Sequence, residues 1–139
     1  MTMEFPEERR QFAVDKLNNL PFAKLMGMRL VDIRPNEAVI EIDMRDDLRQ
    51  PSGVLHGGVT ATLIDTAMAF AVRTYLTDTE PTATIDLTVH YLRPLVAGKA
   101  ICTARVVRPG KRIFTLSADV HDGAGKLIAT GLSTYTRLR

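Results

Sequence analysis

"QPSGVLHGGVTATLIDTAMAF", residues 50–70, is the stretch on which the fold turns. Two glycines close a loop rich in turn formers, and the chain then becomes apolar. From Gly57 to Val72 the one charged residue is Asp65. The segment from about Gly57 to Leu76 is dense in Ala, Leu and Met and long for a strand, which predicts a helix. A helix apolar nearly all round has to be covered on most sides. A sheet curled around it meets that demand, provided the rest of the chain supplies strands.

Upstream, residues 6–20 open with Pro6 and two Glu, which suit a first helical turn and its dipole. "PFAKLM" (21–26) reads as a second short helix with Gly27 as a left-handed cap. "MRLVDIRP" (28–35) and "EAVIEIDM" (37–44) are strand candidates flanking Asn36 as a turn residue. Downstream, "TATIDLTVHYLRP" (82–94) alternates, placing Ala83, Ile85, Leu87, Val89 and Tyr91 on one face and Thr84, Asp86, Thr88 and His90 on the other. "KAICTARVVRP" (99–109) and "KRIFTLSADVHD" (111–122) meet at Pro109-Gly110, a type II turn signal. "HDGAGK" marks another hairpin, and "KLIATGLSTYTRL" (126–138) a last strand. The order β-β-α-β-β-β-β, with hairpin links between the last four strands, predicts an α+β protein: one antiparallel sheet curled around one long central helix. No repeat or linker divides the chain, so residues 1–139 read as a single domain with an N-terminal helical segment over 1–26.

Composition excludes several classes. Eighteen basic against sixteen acidic residues leave a net charge of +2, too small to argue for nucleic acid. There is no Trp, and the scattered Tyr and Phe form no base-stacking platform. The single Cys, Cys102, rules out an internal disulfide framework; with no basic residue or histidine beside it, it reads as small core filler. The first ten residues hold no apolar signal region, and no run is long enough to span a membrane. The expected location is the cytoplasm.

A carboxylate amid apolar residues is costly unless something meets its charge. Asp65 faces a water-filled edge or a partner's surface, or it is a base or nucleophile held in a dry cleft where desolvation tends to raise its pKa. His56-Gly57-Gly58 stands where the loop becomes the helix. The first backbone N–H groups of a helix lack intrahelical acceptors and favour negative charge. Glycine there admits a ligand. The Gly57 N–H would thus suit an oxyanion hole, with His56 beside it. Asp65 lies about 12 Å further along the axis, at 1.5 Å per residue, whereas attacking group and oxyanion donor must both lie about 3 Å from one carbon. One helix cannot supply both. Two helices across a two-fold axis can, which predicts a homodimer with two equivalent, shared sites.

"GVLHGGVTATLIDTAMAFA", "TIDLTVHYLRPL", "VVRPGKRI" and "GKLIATGLSTYTRL" resemble the hotdog-fold thioesterases of the phenylacetate-degradation (PaaI-type) group over roughly residues 20–138. The resemblance implies the hotdog fold, hydrolysis of an acyl-coenzyme A thioester without metal or other cofactor (coenzyme A being part of the substrate), and dimers that pair again into tetramers. Carried over, Asp65 is the general base or nucleophile, Gly57 the oxyanion donor, and His56 polarises the carbonyl or fixes the loop. Gln50 stands where the family commonly has Asn, with the same amide on a longer arm. Thr84 matches a Ser or Thr beside the carboxylate. For the coenzyme A phosphates, the tip "VRPGKR" offers Arg108, Lys111 and Arg112 around a free Gly110 amide, with Arg93 as a further candidate. His90 and His121 read as strand and turn residues, and Met26, Met28 and Met68 as packing or as acyl-pocket lining. Two alternatives stay open: a non-catalytic acyl-coenzyme A sensor on the same scaffold, and a hotdog dehydratase, whose histidine sits in a Pro-rich loop.

Overall fold

A computed structural model describes residues 5–138 of the protein. Residues 1–4 and 139, the two ends of the single-domain assignment and the start of the leader reading, lie outside the described residues. Helix α1 (Glu7–Asn18) is followed by α2 (Pro21–Met26), β1 (Arg29–Arg34), β2 (Glu37–Asp43), the long helix α3 (Gly57–Arg73), β3 (Thr82–Tyr91), β4 (Lys99–Pro109), β5 (Ile113–Asp122) and β6 (Leu127–Arg137). Gly27 caps α2 at φ 77°, and Asn36 makes the β1–β2 turn at φ 74°. Both are left-handed positions that Gly and Asn take more cheaply than other residues. Among the described residues no helix is long and apolar enough to cross a membrane.

The strands form one antiparallel sheet in the order β1-β2-β4-β5-β6-β3, and α3 touches every strand of it. Its concave face carries a row of small residues across adjacent strands: Ala38 pairs with Ala104, Ala104 with Ala118, and Ala118 with Gly131. All four are buried, and together they form the trough in which the helix lies. A Cβ built on Gly131 would stand 3.0 Å from Ile64 Cγ2 of α3 and 3.4 Å from the Thr88 carbonyl oxygen. Glycine in a buried strand is explained by that close approach. We expect Gly131→Ala to overpack this contact and cost about 1–3 kcal/mol in urea unfolding; an unchanged midpoint would mean that the helix has room to rise off the sheet.

Three local expectations are corrected. Helix α3 ends at Arg73, short of Leu76. Thr74, Tyr75 and Leu76 donate to Ala71, Val72 and Arg73 in a tightened final turn, and Arg9 Nη2 takes the Arg73 and Leu76 carbonyls at 3.0 and 2.6 Å. β3 is not joined to β4 by a hairpin; it pairs with β6 at the sheet edge. The intervening loop is held under the start of α3 by the Leu55 N–H on the Leu95 carbonyl (2.8 Å) and by Arg49 on the Val96 carbonyl (2.7 Å). The β4–β5 connection is not type II, because Gly110 has no positive φ; its N–H instead donates to the Ile113 carbonyl at 2.8 Å. A side chain at Gly110 would run into that same oxygen, which accounts for the glycine.

The correction with functional weight lies in β3. Pairing with β6 slips between Thr84 and Asp86, so Ile85 is a bulge residue. Strict alternation had put Thr84 opposite Leu87 and Val89. The extra residue turns Thr84 to their side, paired with Tyr135. Thr84 therefore faces α3, while Ile85 is left 55% exposed on the edge.

Candidate active site

Asp65 is half-buried in the middle of α3. Its Oδ1 accepts a hydrogen bond from Thr84 Oγ1 at 2.8 Å and another from the Tyr135 hydroxyl at 2.5 Å. The same phenol lies 2.6 Å from the Asp65 carbonyl. Burial, and then the neighbouring carboxylate, push the Tyr135 phenol far above its ordinary range, so it remains a donor at any working pH. The expected Thr84 contact is thus present, and it depends on the Ile85 bulge.

Gly57 opens α3 at the other end of this half-site. His56 is the N-cap, and its Nδ1 accepts from the Gly58 N–H at 2.8 Å. Through this ring nitrogen His56 caps the start of α3. The Tyr91 hydroxyl donates to the Gly57 carbonyl at 2.8 Å, and its ring would lie 3.3 Å from a Cβ at Gly57. Gly57 borders a groove of about 320 Å³ with Gln50, Thr60, Tyr91, Arg93 and Ile128 among its walls. Gln50 Oε1 accepts from the Ser52 N–H at 2.5 Å and from its hydroxyl at 2.8 Å, which turns the amide oxygen into its own loop.

Within one chain the two halves stay apart. Asp65 is not among the residues lining the Gly57 groove. β3 touches both, Thr84 at Asp65 and Tyr91 at Gly57, on opposite ends of the strand. The phosphate-binding candidates divide in the same way. Arg93 stands at the Gly57 groove and donates to the Leu127 carbonyl at 2.8 Å. Arg108, Lys111 and Arg112 are exposed around the β4–β5 turn, at the sheet end where Pro109, Phe114, Tyr135 and Thr84 lie in register. The Gly110 amide is engaged and is not a free donor.

Two functional candidates were missed by pattern reading, Tyr135 and Tyr91. Tyr135 could have been found from parity: it follows Gly131 and Ser133 on the inward face, and a buried tyrosine hydroxyl needs a partner. The sequence carries no local sign for Tyr91. Cys102 and Met68 are fully buried and Met28 nearly so, and none of the three lines the groove. Burial raises the Cys102 thiol, as befits core filler.

The sequence pattern of the thioesterase superfamily matches residues 52–129, the span from the turn before Gly57 into β6. The chain belongs to the thioesterase superfamily. This thioesterase-superfamily chain is 34% identical to human acyl-coenzyme A thioesterase 13 over 128 residues, covering 88% of this chain and 87% of the relative. Among solved structures, a mutant of the phenylacetic acid degradation protein PaaI from Thermus thermophilus is 32% identical, with a TM-score of 0.79 over 86% of this chain and 100% of that one. The PaaI protein of Escherichia coli superposes with a TM-score of 0.84 over 93% of this chain and 92% of that one; at 22% identity it speaks for the fold alone. The curled sheet around α3 is the hotdog fold, and the PaaI-type resemblance holds along most of the chain.

Proposed function

We propose that this thioesterase hydrolyses acyl-coenzyme A esters at two equivalent sites of a homodimer, each built from Asp65 of one subunit and the N–H of Gly57 of the partner subunit. One observation carries the reading: an apolar helix holds a carboxylate whose Oδ1 is occupied by two hydroxyls, while the oxyanion donor of the same chain opens into a separate groove. The β3 edge supports it, since its outer side has no partner strand among the described residues and exposed strand edges call for cover. The division of Arg93 from Arg108, Lys111 and Arg112 gives each composite site basic groups from both subunits, in reach of a polyanionic substrate.

In the reaction, Asp65 takes a proton from water as the water oxygen bonds to the thioester carbon. The carbonyl electron pair moves onto oxygen, where the Gly57 N–H receives the charge. Collapse of that adduct breaks the carbon–sulfur bond, and the thiolate recovers the proton from Asp65. One water is consumed; a carboxylic acid and free coenzyme A leave. Direct attack by the carboxylate, followed by hydrolysis of the anhydride, has the same balance and uses the same residues.

The test is thiol release from a panel of aryl- and fatty-acyl-coenzyme A esters, followed with a chromogenic disulfide; the buried Cys102 does not contribute to the signal. Turnover of at least one ester is expected. Binding without hydrolysis across the panel would favour the sensor reading.

A further inference from the structure

The Asp65 carboxylate is not symmetric in its surroundings. Oδ1 receives both hydroxyl donors, one from β3 and one from β6. Oδ2 has no hydrogen-bond partner among the described residues and is not enclosed. The two donors sit on paired residues, Thr84 opposite Tyr135, so the sheet register itself sets their spacing. A side chain gripped at one oxygen by two fixed donors cannot exchange its oxygens without breaking both bonds.

From this geometry we infer that Asp65 acts through Oδ2 alone, and that Tyr135 is a positioning residue which, with Thr84, pins Oδ1 and so aims Oδ2 at the reacting water or carbonyl carbon. The inference rests on the thioesterase reading above and adds to it which oxygen reacts and what holds it. Tyr135 touches no reacting atom; it acts through the carboxylate. Its ring is buried beside Asp65, and its hydroxyl also lies 2.6 Å from the Asp65 carbonyl, so its single proton is shared between a side-chain and a backbone oxygen of the same residue. Losing one hydroxyl should let the carboxylate turn while leaving substrate contacts intact.

The experiment is steady-state kinetics on the full chain with the best ester of the panel, alongside thermal melts. Tyr135→Phe keeps the ring and removes one charge-assisted bond. It should lower kcat about tenfold with KM within about twofold of the parent. Thr84→Val should act in the same sense, and Thr84→Ser, which restores a hydroxyl, should return most of kcat. An unchanged kcat in Tyr135→Phe, or a loss confined to KM, overturns the proposal. If Tyr135→Phe does not fold, the Thr84 pair decides: equal kcat in Thr84→Val and Thr84→Ser overturns it. Asp65→Asn in the same series separates the two levels. Full turnover there removes Asp65 from the chemistry and sinks the composite site proposed above, whereas an inactive Asp65→Asn beside a normal Tyr135→Phe sinks only the Oδ2 assignment.

Discussion

Asp65→Asn should lower kcat by about 10²- to 10⁴-fold, the range in which a positioned base contributes. The substitution is a clean one because of how the carboxylate is held. The amide oxygen can accept both the Thr84 and Tyr135 hydroxyls as Oδ1 does now, so the side chain keeps its orientation. What changes is the other position, where an NH₂ that can only donate replaces an open anionic oxygen. The melting temperature should therefore stay close to that of the parent while thiol release collapses. A variant that keeps its fold and its turnover would remove Asp65 from the chemistry.

The second large effect concerns the proposed shared site, and it can be separated from folding because Gly57 occupies the first position of α3. Proline is well tolerated there and lacks the N–H. The preceding residue, His56, is at φ −61° and ψ 133°, a conformation compatible with a following proline. Gly57→Pro should thus keep the helix and lose about 10²–10³ in kcat, as when one oxyanion donor is removed. Its ring atoms would press on Tyr91, 3.3 Å from a Cβ at this position, so Gly57→Ala serves as the control: the same Cβ, but with the N–H kept. Mixing then tests the geometry. Neither Asp65→Asn nor Gly57→Pro homodimers hold an intact site. Random pairing of equal amounts makes half the dimers mixed, each with one of two sites intact, so about a quarter of parental activity should return. If both groups served the same chain, mixing would restore nothing.

These expectations draw on two kinds of legibility. The helix and its odd residue were readable because they are local: an apolar run of this length has few ways to be buried, and a carboxylate within it stands out without reference to any other segment. Strand identities were readable for the same reason, since alternation needs only neighbours in sequence. The oxyanion candidate followed from a helix start, which glycines and a capping histidine announce. The distance from Gly57 to Asp65 followed from helical rise alone, and with it the expectation of a second subunit.

What the sequence by itself determined, then, was the set of elements, the wrapped architecture and the odd pair of groups on one rod. Only the tertiary structure decided that β3 lies against β6, that Ile85 bulges out of the ladder and so turns Thr84 inward, that Tyr135 shares the same carboxylate oxygen, that Tyr91 closes on Gly57, and that the Gly110 amide is already used. The first four share a physical reason: each depends on register or partner choice between segments far apart in the chain, and one slipped residue in a strand reverses every later side chain. The Gly110 contact is local, to Ile113, and turns on the backbone path between β4 and β5. Periodicity records the local rule; the packing of α3 into its trough selects which register the sheet keeps.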